Sequence, residues 1–197
     1  MRSRRKLLNW LVMAALLVFA SPLFAPQLLA FSYHAKSGDF SVYSEAPIDR
    51  SKLDAVTGRA AALVSTSPFA RPSEPRRVFL TTGGWRWNWL ALRFRDSFAV
   101  SRPFSEPLIF NRSDVSRDRV YAGDTDGTVR SLSGTIAHET CHGLLRREVG
   151  LRADWTTPGW LREGYCDFIA NESALNARQV EQLRATDPDH RAVIYFD

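Results

Sequence analysis

The sequence predicts an α+β domain preceded by an apolar N-terminal helix, and three observations carry that reading. Four cations, Arg2, Arg4, Arg5 and Lys6, stand before an apolar run over residues 7–20. Short apolar segments punctuated by prolines follow, and helical spacing dominates the second half. A mixed, mostly antiparallel β-layer first and helices later is the order of an α+β fold.

Residues 1–31 read as a targeting or anchoring segment and 32–197 as the domain. The cations form an n-region, and the run after them has the length of a signal-peptide apolar core. Val18-Phe19-Ala20 before Ser21 offers a cleavage site. Apolar character nevertheless continues through Leu23, Phe24, Leu28, Leu29 and Phe31. Roughly 20 apolar residues suffice to cross a bilayer. The favoured expectation is therefore an uncleaved single-pass anchor, with the N-terminus cytoplasmic and the domain extracytoplasmic by the positive-inside rule. The alternative is a cleaved signal and a secreted or periplasmic domain. Beyond Lys6 the chain carries 22 basic and 21 acidic residues. The pI near 9.6 thus belongs to the N-terminus, and no nucleic-acid partner is expected.

Within the domain, residues 40–43 read as a first strand. Leu53, Val56, Ala60, Leu63 and Val64 lie near helical spacing and predict a helix over 51–65. Pro68, Pro72 and Pro75 mark a loop. Residues 78–80, 98–100 and 108–110 read as three more strands. Trp85, Trp87 and Trp89 alternate, as on one face of a strand. Core packing, a substrate-groove wall or a membrane interface would each suit them. Residues 114–128 are polar and turn-rich. A helix is predicted over 129–149, with Gly150 as its stop. The next should open with Thr157 as N-cap and Pro158 at its first position, and a last helix should cover 175–185. The only two cysteines, Cys141 and Cys166, are free to pair in an oxidising compartment; buried free thiols are the other reading.

The chemistry concentrates in His138-Glu139-Thr140-Cys141-His142. On a helix, residues four apart share a face one turn apart. The two imidazoles can therefore converge on a tetrahedral zinc ion, whose ligands lie about 2 Å away. Glu139 stands about 100° further round the axis. There it can serve as a general base toward an activated water. A catalytic zinc also requires a third protein ligand and an open position.

Pro158-Gly159-Trp160-Leu161-Arg162-Glu163-Gly164-Tyr165 resembles the Trp-Leu-x-Glu-Gly segment of the gluzincin peptidases, the thermolysin-like zincins. The likeness covers residues 134–168 and does not reach 32–128. It implies a small zincin-like domain in which His138, His142 and Glu163 hold zinc and Glu139 is the catalytic base. It also implies that Asp167, four residues after Glu163, holds a ligand histidine by its other ring nitrogen. The metzincin pattern would require glycine at 145 and histidine at 148, where this chain has Leu145 and Glu148. Glu148 stays open as a rival ligand on a bent helix. Tyr121, Tyr165 and Tyr195 are unranked candidates for stabilising an oxyanion.

The resemblance implies a peptidase that acts on a peptide or protein substrate, and the N-terminal segment would tether it to the membrane. An edge strand would receive that substrate by strand addition, with residues 108–111 proposed for it. A zinc hydrolase of a non-peptide substrate is one alternative. A non-catalytic membrane-associated binding module with a structural zinc is another, although such a site needs no Glu139. The sequence leaves the oligomeric state open.

Overall fold

Residues 2–103, 106–123, 128–172, 181–182 and 185–186 are described in a computed structural model of the chain. In chain order the helices are α1 (Arg2–Ala20), α2 (Arg50–Val64), α3 (Gly84–Ala91), α4 (Leu132–Thr156) and α5 (Gly159–Ala170). The strands are β1 (Tyr33–Ser37), β2 (Phe40–Ser44), β3 (Arg76–Leu80), β4 (Ala99–Ser101), β5 (Leu108–Phe110), β6 (Ser113–Asp114), β7 (Arg119–Ala122) and β8 (Thr128–Ser131). The first five form one sheet in the order β1-β2-β3-β5-β4, and the last three form a second.

Period-two alternation buries both faces of the main sheet. Phe40, Val42, Val78, Leu80, Leu108 and Phe110 meet Leu53, Val56 and Ala60 of α2 and Leu132 and Ile136 of α4. Phe79 and Ile109 point the other way, against Trp87, Leu90 and Ala91 of α3. The sheet is thus the middle of three layers. Phe110 and Phe79 are fully buried, and each such side chain contributes about 1.5–3 kcal/mol.

Several expectations need correction. The main sheet is mixed in equal parts: β1–β2 and β4–β5 are antiparallel, β2–β3 and β3–β5 parallel. The parallel β2–β3 pair requires a crossover, which α2 supplies. The polar stretch from residue 114 contains β7, in which Val120 is the buried residue. The tryptophan segment is a helix. Trp87, Leu90 and Ala91, at spacings of three and four, are buried, while Trp85 is exposed. The alternating indoles masked that period. Residues 108–110 form an internal strand whose two edges are taken by β3 and β4, so 108–111 cannot receive a substrate strand. The sheet's edge strands are β1 and β4, and β4 is the one that packs against α4.

The anchor expectation also changes. No helix among the described residues is long and apolar enough to cross a membrane. In α1 the apolar part is residues 7–20, about 21 Å at 1.5 Å per residue, short of the ~30 Å hydrocarbon core. The chain then breaks at Pro22 and Pro26 into two 3-10 turns, Ser21–Leu23 and Pro26–Leu29.

Gly150 does break the active helix, with φ 81° and ψ 156°, although helical backbone resumes and α4 runs on to Thr156. Helix α5 starts one residue later than predicted. Pro158 is its N-cap, while the Thr157 hydroxyl bonds back to the Ala153 carbonyl at 2.8 Å. The helix expected over 175–185 falls mostly outside the described residues.

Candidate metal centre

Helix α4 opens at Ser131, whose Oγ accepts from the Gly134 N–H at 2.9 Å, satisfying one of the helix's free donors. Residues 132–144 are buried throughout. The sheet and α2 cover one side of this stretch and α5 the other. His138, Glu139 and His142 are therefore held inside the protein, each under a tenth exposed. Helix α5 brings Glu163 and Asp167 to the same place. The two helices are bonded to each other by a disulfide between Cys141 and Cys166.

The three expected ligands converge. His142 Nε2 lies 3.1 Å from His138 Nε2. Glu163 Oε2 lies 3.3 Å from each of them. Donors arranged tetrahedrally around an ion with bonds of 2.0–2.1 Å stand about 3.3 Å apart. The triangle thus has the edge lengths of one face of a tetrahedral site, and the group could hold a metal ion.

The remaining ring nitrogens keep Nε2 available on both histidines. Asp167 Oδ1 lies 2.9 Å from His138 Nδ1, in a bent contact that falls short of hydrogen-bond geometry. His142 Nδ1 lies 3.6 Å from Cys166 Sγ. A disulfide sulfur has no proton to give, so here the imidazole N–H donates. Asp167 is in turn approached by Arg130, with Nη1 3.4 Å from Oδ1.

Electrostatics match this geometry. Burial disfavours charge on His138, but Asp167, Glu163 and Glu139 outweigh it and raise its pKa to about 10 in the metal-free protein. Burial likewise raises Glu163, yet the two imidazoles overcome it and hold its carboxyl well below the usual range. Three buried or half-buried acids around two imidazoles favour a cation at this point.

Not every candidate joins the centre. Glu148 is exposed and lies 3.8 Å from Arg71, so the rival third ligand is excluded from the group. The Tyr165 hydroxyl pairs with Ser67 Oγ at 2.9 Å, on α2's side. Tyr121 lies under the Arg112 guanidinium and lines a separate cavity. Tyr195 is outside the described residues.

A cleft of about 540 Å³ opens onto the centre, lined by Glu139, His142 and Glu163, by β4 and by Arg93, Arg102, Arg146 and Arg162. A larger cavity, about 660 Å³, lies beside α2 and the turn at Gly38, and contains none of these residues. The arginines are what sequence reasoning missed. Arg146 carried a readable signal, being four residues after His142 and so on the same helix face. Arg102 and Arg93 carried none, since only the fold brings the β4 region to α4.

Comparison with protein-family models, with curated proteins and with solved structures found no match for the chain.

Proposed function

We propose that the chain is a zinc-dependent hydrolase of the gluzincin type that cleaves peptide bonds outside the cytoplasm. The observation that carries this reading is the triangle of His138 Nε2, His142 Nε2 and Glu163 Oε2, of which His142 and Glu163 line one open cleft together with Glu139. His138, His142 and Glu163 would hold the ion. Bound there, zinc would polarise a carbonyl and make a water acidic enough to lose its proton near neutral pH. Glu139 accepts that proton and passes it to the leaving amine.

Two features favour catalysis over a structural site. Structural zinc sites are closed by four protein ligands, whereas among the described residues this group offers three and Glu163 is half exposed. A structural site also has no use for a carboxylate beside its ligands. Peptide is favoured over other substrates by β4. The pairing of Val100 with Ile109 lies between the bonds Asn111 N–H to Phe98 O and Arg102 N–H to Pro107 O. By the antiparallel alternation, Ala99 and Ser101 then direct their backbone groups to the free edge. That edge lines the cleft and suits strand addition.

The location rests on the cationic n-region and on the Cys141–Cys166 disulfide, a bond that persists in oxidising compartments. Residues 1–20 act as the export signal. Exposed Trp10, Leu11, Leu16, Leu17 and Phe19 on α1 suit contact with lipid before processing.

The test is turnover of a mixed quenched-peptide library, abolished by a chelator and restored by zinc. Glu139→Ala should keep its zinc and lose about 10²–10⁴-fold in rate. Wild-type turnover by that variant would refute the mechanism. Zinc binding without hydrolysis of any peptide would refute the substrate class.

A further inference from the structure

The cleft carries more positive charge than a metal centre and a base require. Arg102, at the end of β4, donates through Nη2 to the Leu90 carbonyl. Arg146, on α4, donates through Nη2 to Ser101 Oγ at 3.4 Å. Each also has its Nε buried without a hydrogen-bond partner among the described residues. Among the described residues neither guanidinium has a carboxylate within 4.0 Å. The acids whose charges act on Arg146 are Glu106, Asp154 and Glu139, and Glu106 is already paired with Arg147. Burial works against the charge on both arginines.

Two desolvated cations with unused donors are costly unless something pairs with them. Arginine binds a carboxylate through two parallel N–H donors, and an unused Nε leaves such an edge incomplete. Both side chains line the same cleft as Glu139 and His142. Arg146 stands four residues, about 6 Å along the helix axis, beyond His142. An extended peptide advances about 3.3 Å per residue, so the missing anion belongs one or two residues from the scissile bond.

Resting on the peptidase reading, we propose that Arg102 and Arg146 form a carboxylate subsite, so that the preferred substrate carries a carboxylate one or two residues from the cleaved bond. An acidic side chain or a free C-terminus would supply the same planar group. Arg93 and Arg162 at the cleft wall add to the attraction, while Asp154, only 5% exposed and 3.8 Å from Arg162, offsets part of the latter.

The experiment uses zinc-loaded full-length protein and isothermal titration with the monohydroxamate of glutaric acid and with its amide counterpart. The hydroxamate group is common to both probes, and only the acid presents a carboxylate. The acid should bind at least tenfold tighter than the amide. Arg102→Gln and Arg146→Gln should each collapse that ratio, and Arg146→Lys should restore part of it, with a thermal melt verifying the fold. Equal affinities for acid and amide, with zinc bound, overturn the subsite and leave the metal centre standing. Failure to bind zinc overturns both. Quenched peptides then separate the two sources. A tenfold preference in kcat/KM for Glu over Gln near the cleaved bond identifies a side-chain carboxylate. The same preference for a free acid over a C-terminal amide identifies the terminus. No preference in either pair counts against the subsite.

Discussion

Asp167→Ala is the perturbation that probes how the metal centre is held without touching a ligand. The carboxylate sits 2.9 Å from His138 Nδ1 and is itself mostly buried, with Arg130 behind it at 3.4 Å. With zinc on Nε2 the imidazole is neutral, so the contact is that of an N–H with a charged acceptor. A well-aligned bond of that kind contributes about 1.5–3 kcal/mol, which converts to roughly 10–150-fold in affinity. The bent geometry places this one toward the lower end. That agrees with the 10–100-fold typical of a carboxylate behind a metal-bound histidine. Asp167→Asn keeps an acceptor but not its charge, so its loss should be smaller. The assay is competition for zinc with a chelator of known affinity, at fixed pH and salt. Thermal melts of the metal-free variants run alongside, because Arg130 loses one ionic partner and keeps Glu172, at 3.9 Å, and the Phe98 ring beneath its guanidinium. If Asp167→Ala binds zinc within twofold of wild type, the carboxylate does not hold His138, and its closeness in the structure has no consequence for the metal.

Glu163→Ala should lose most bound metal on dialysis, since two imidazoles remain, whereas Glu148→Ala should keep a full equivalent; elemental analysis of the two decides between them. Reduction, or Cys141→Ala with Cys166→Ala, opens a crosslink between residues 25 apart, a loss of about 3.5 kcal/mol by chain entropy. A denaturant midpoint unchanged by reductant would contradict that. In the metal-free protein, His138 has a folded pKa raised to about 10 from 6.5. Its contribution is complete below 6.5 and lost as pH rises through 10. Glu163 is lowered from 4.5, so its contribution is present above 4.5 and lost in stronger acid. Chelator-treated protein should therefore be most stable between about 4.5 and 6.5, and zinc should move the optimum upward because it requires neutral imidazoles; a metal-free melt that rises steadily to pH 10 would count against this. Phe110→Ala, in the internal strand, should cost about 3–5 kcal/mol, measured by urea unfolding.

Where local pattern and tertiary packing agree, the elements were legible. Helix α2 shows its buried stripe at Leu53, Val56, Ala60 and Val64 and has an N-cap in Asp49, whose carboxylate accepts from the Ser51 and Lys52 N–H groups. Strands β3 and β5 are short apolar runs because both sheet faces are covered. Elements with little to bury were not legible. Strand β1 is exposed along most of its length and reads as polar chain. Strand β7 buries one residue. In α3 three indoles at every second position imitate a strand, and only burial of Trp87, Leu90 and Ala91 reveals the helical period. The site divides the same way. His138, Glu139 and His142 were legible because one helix fixes their spacing. Glu163 and Asp167 needed a resemblance, since no local rule relates one helix to another. Arg102 lies beyond any sequence rule, reaching the cleft only through the β4–β5 pairing.

The dependence of the centre on two helices explains where the fold places its crosslinks. His138 and His142 keep their spacing whatever α5 does, but Glu163 Oε2 reaches both only if α5 stays in register with α4. Displacing α5 by 1 Å would take the carboxylate out of bonding range of an ion with 2 Å bonds. Glu163 is half exposed, so side-chain packing does not hold it. Ties made by the residues around it do. Arg162 donates to the Asp154 carbonyl at 2.8 Å on one side. On the other, Cys166 is bonded to Cys141 and Asp167 meets His138. Glu172, past the end of α5, accepts from the Ser131 N–H at the start of α4. Four ties therefore bracket a ligand that is itself left open to the cleft. A rigid frame with an exposed third ligand is what a site needs if its remaining position is to be reached by a substrate. A purely structural metal would have gained more from burying Glu163 and supplying a fourth side chain.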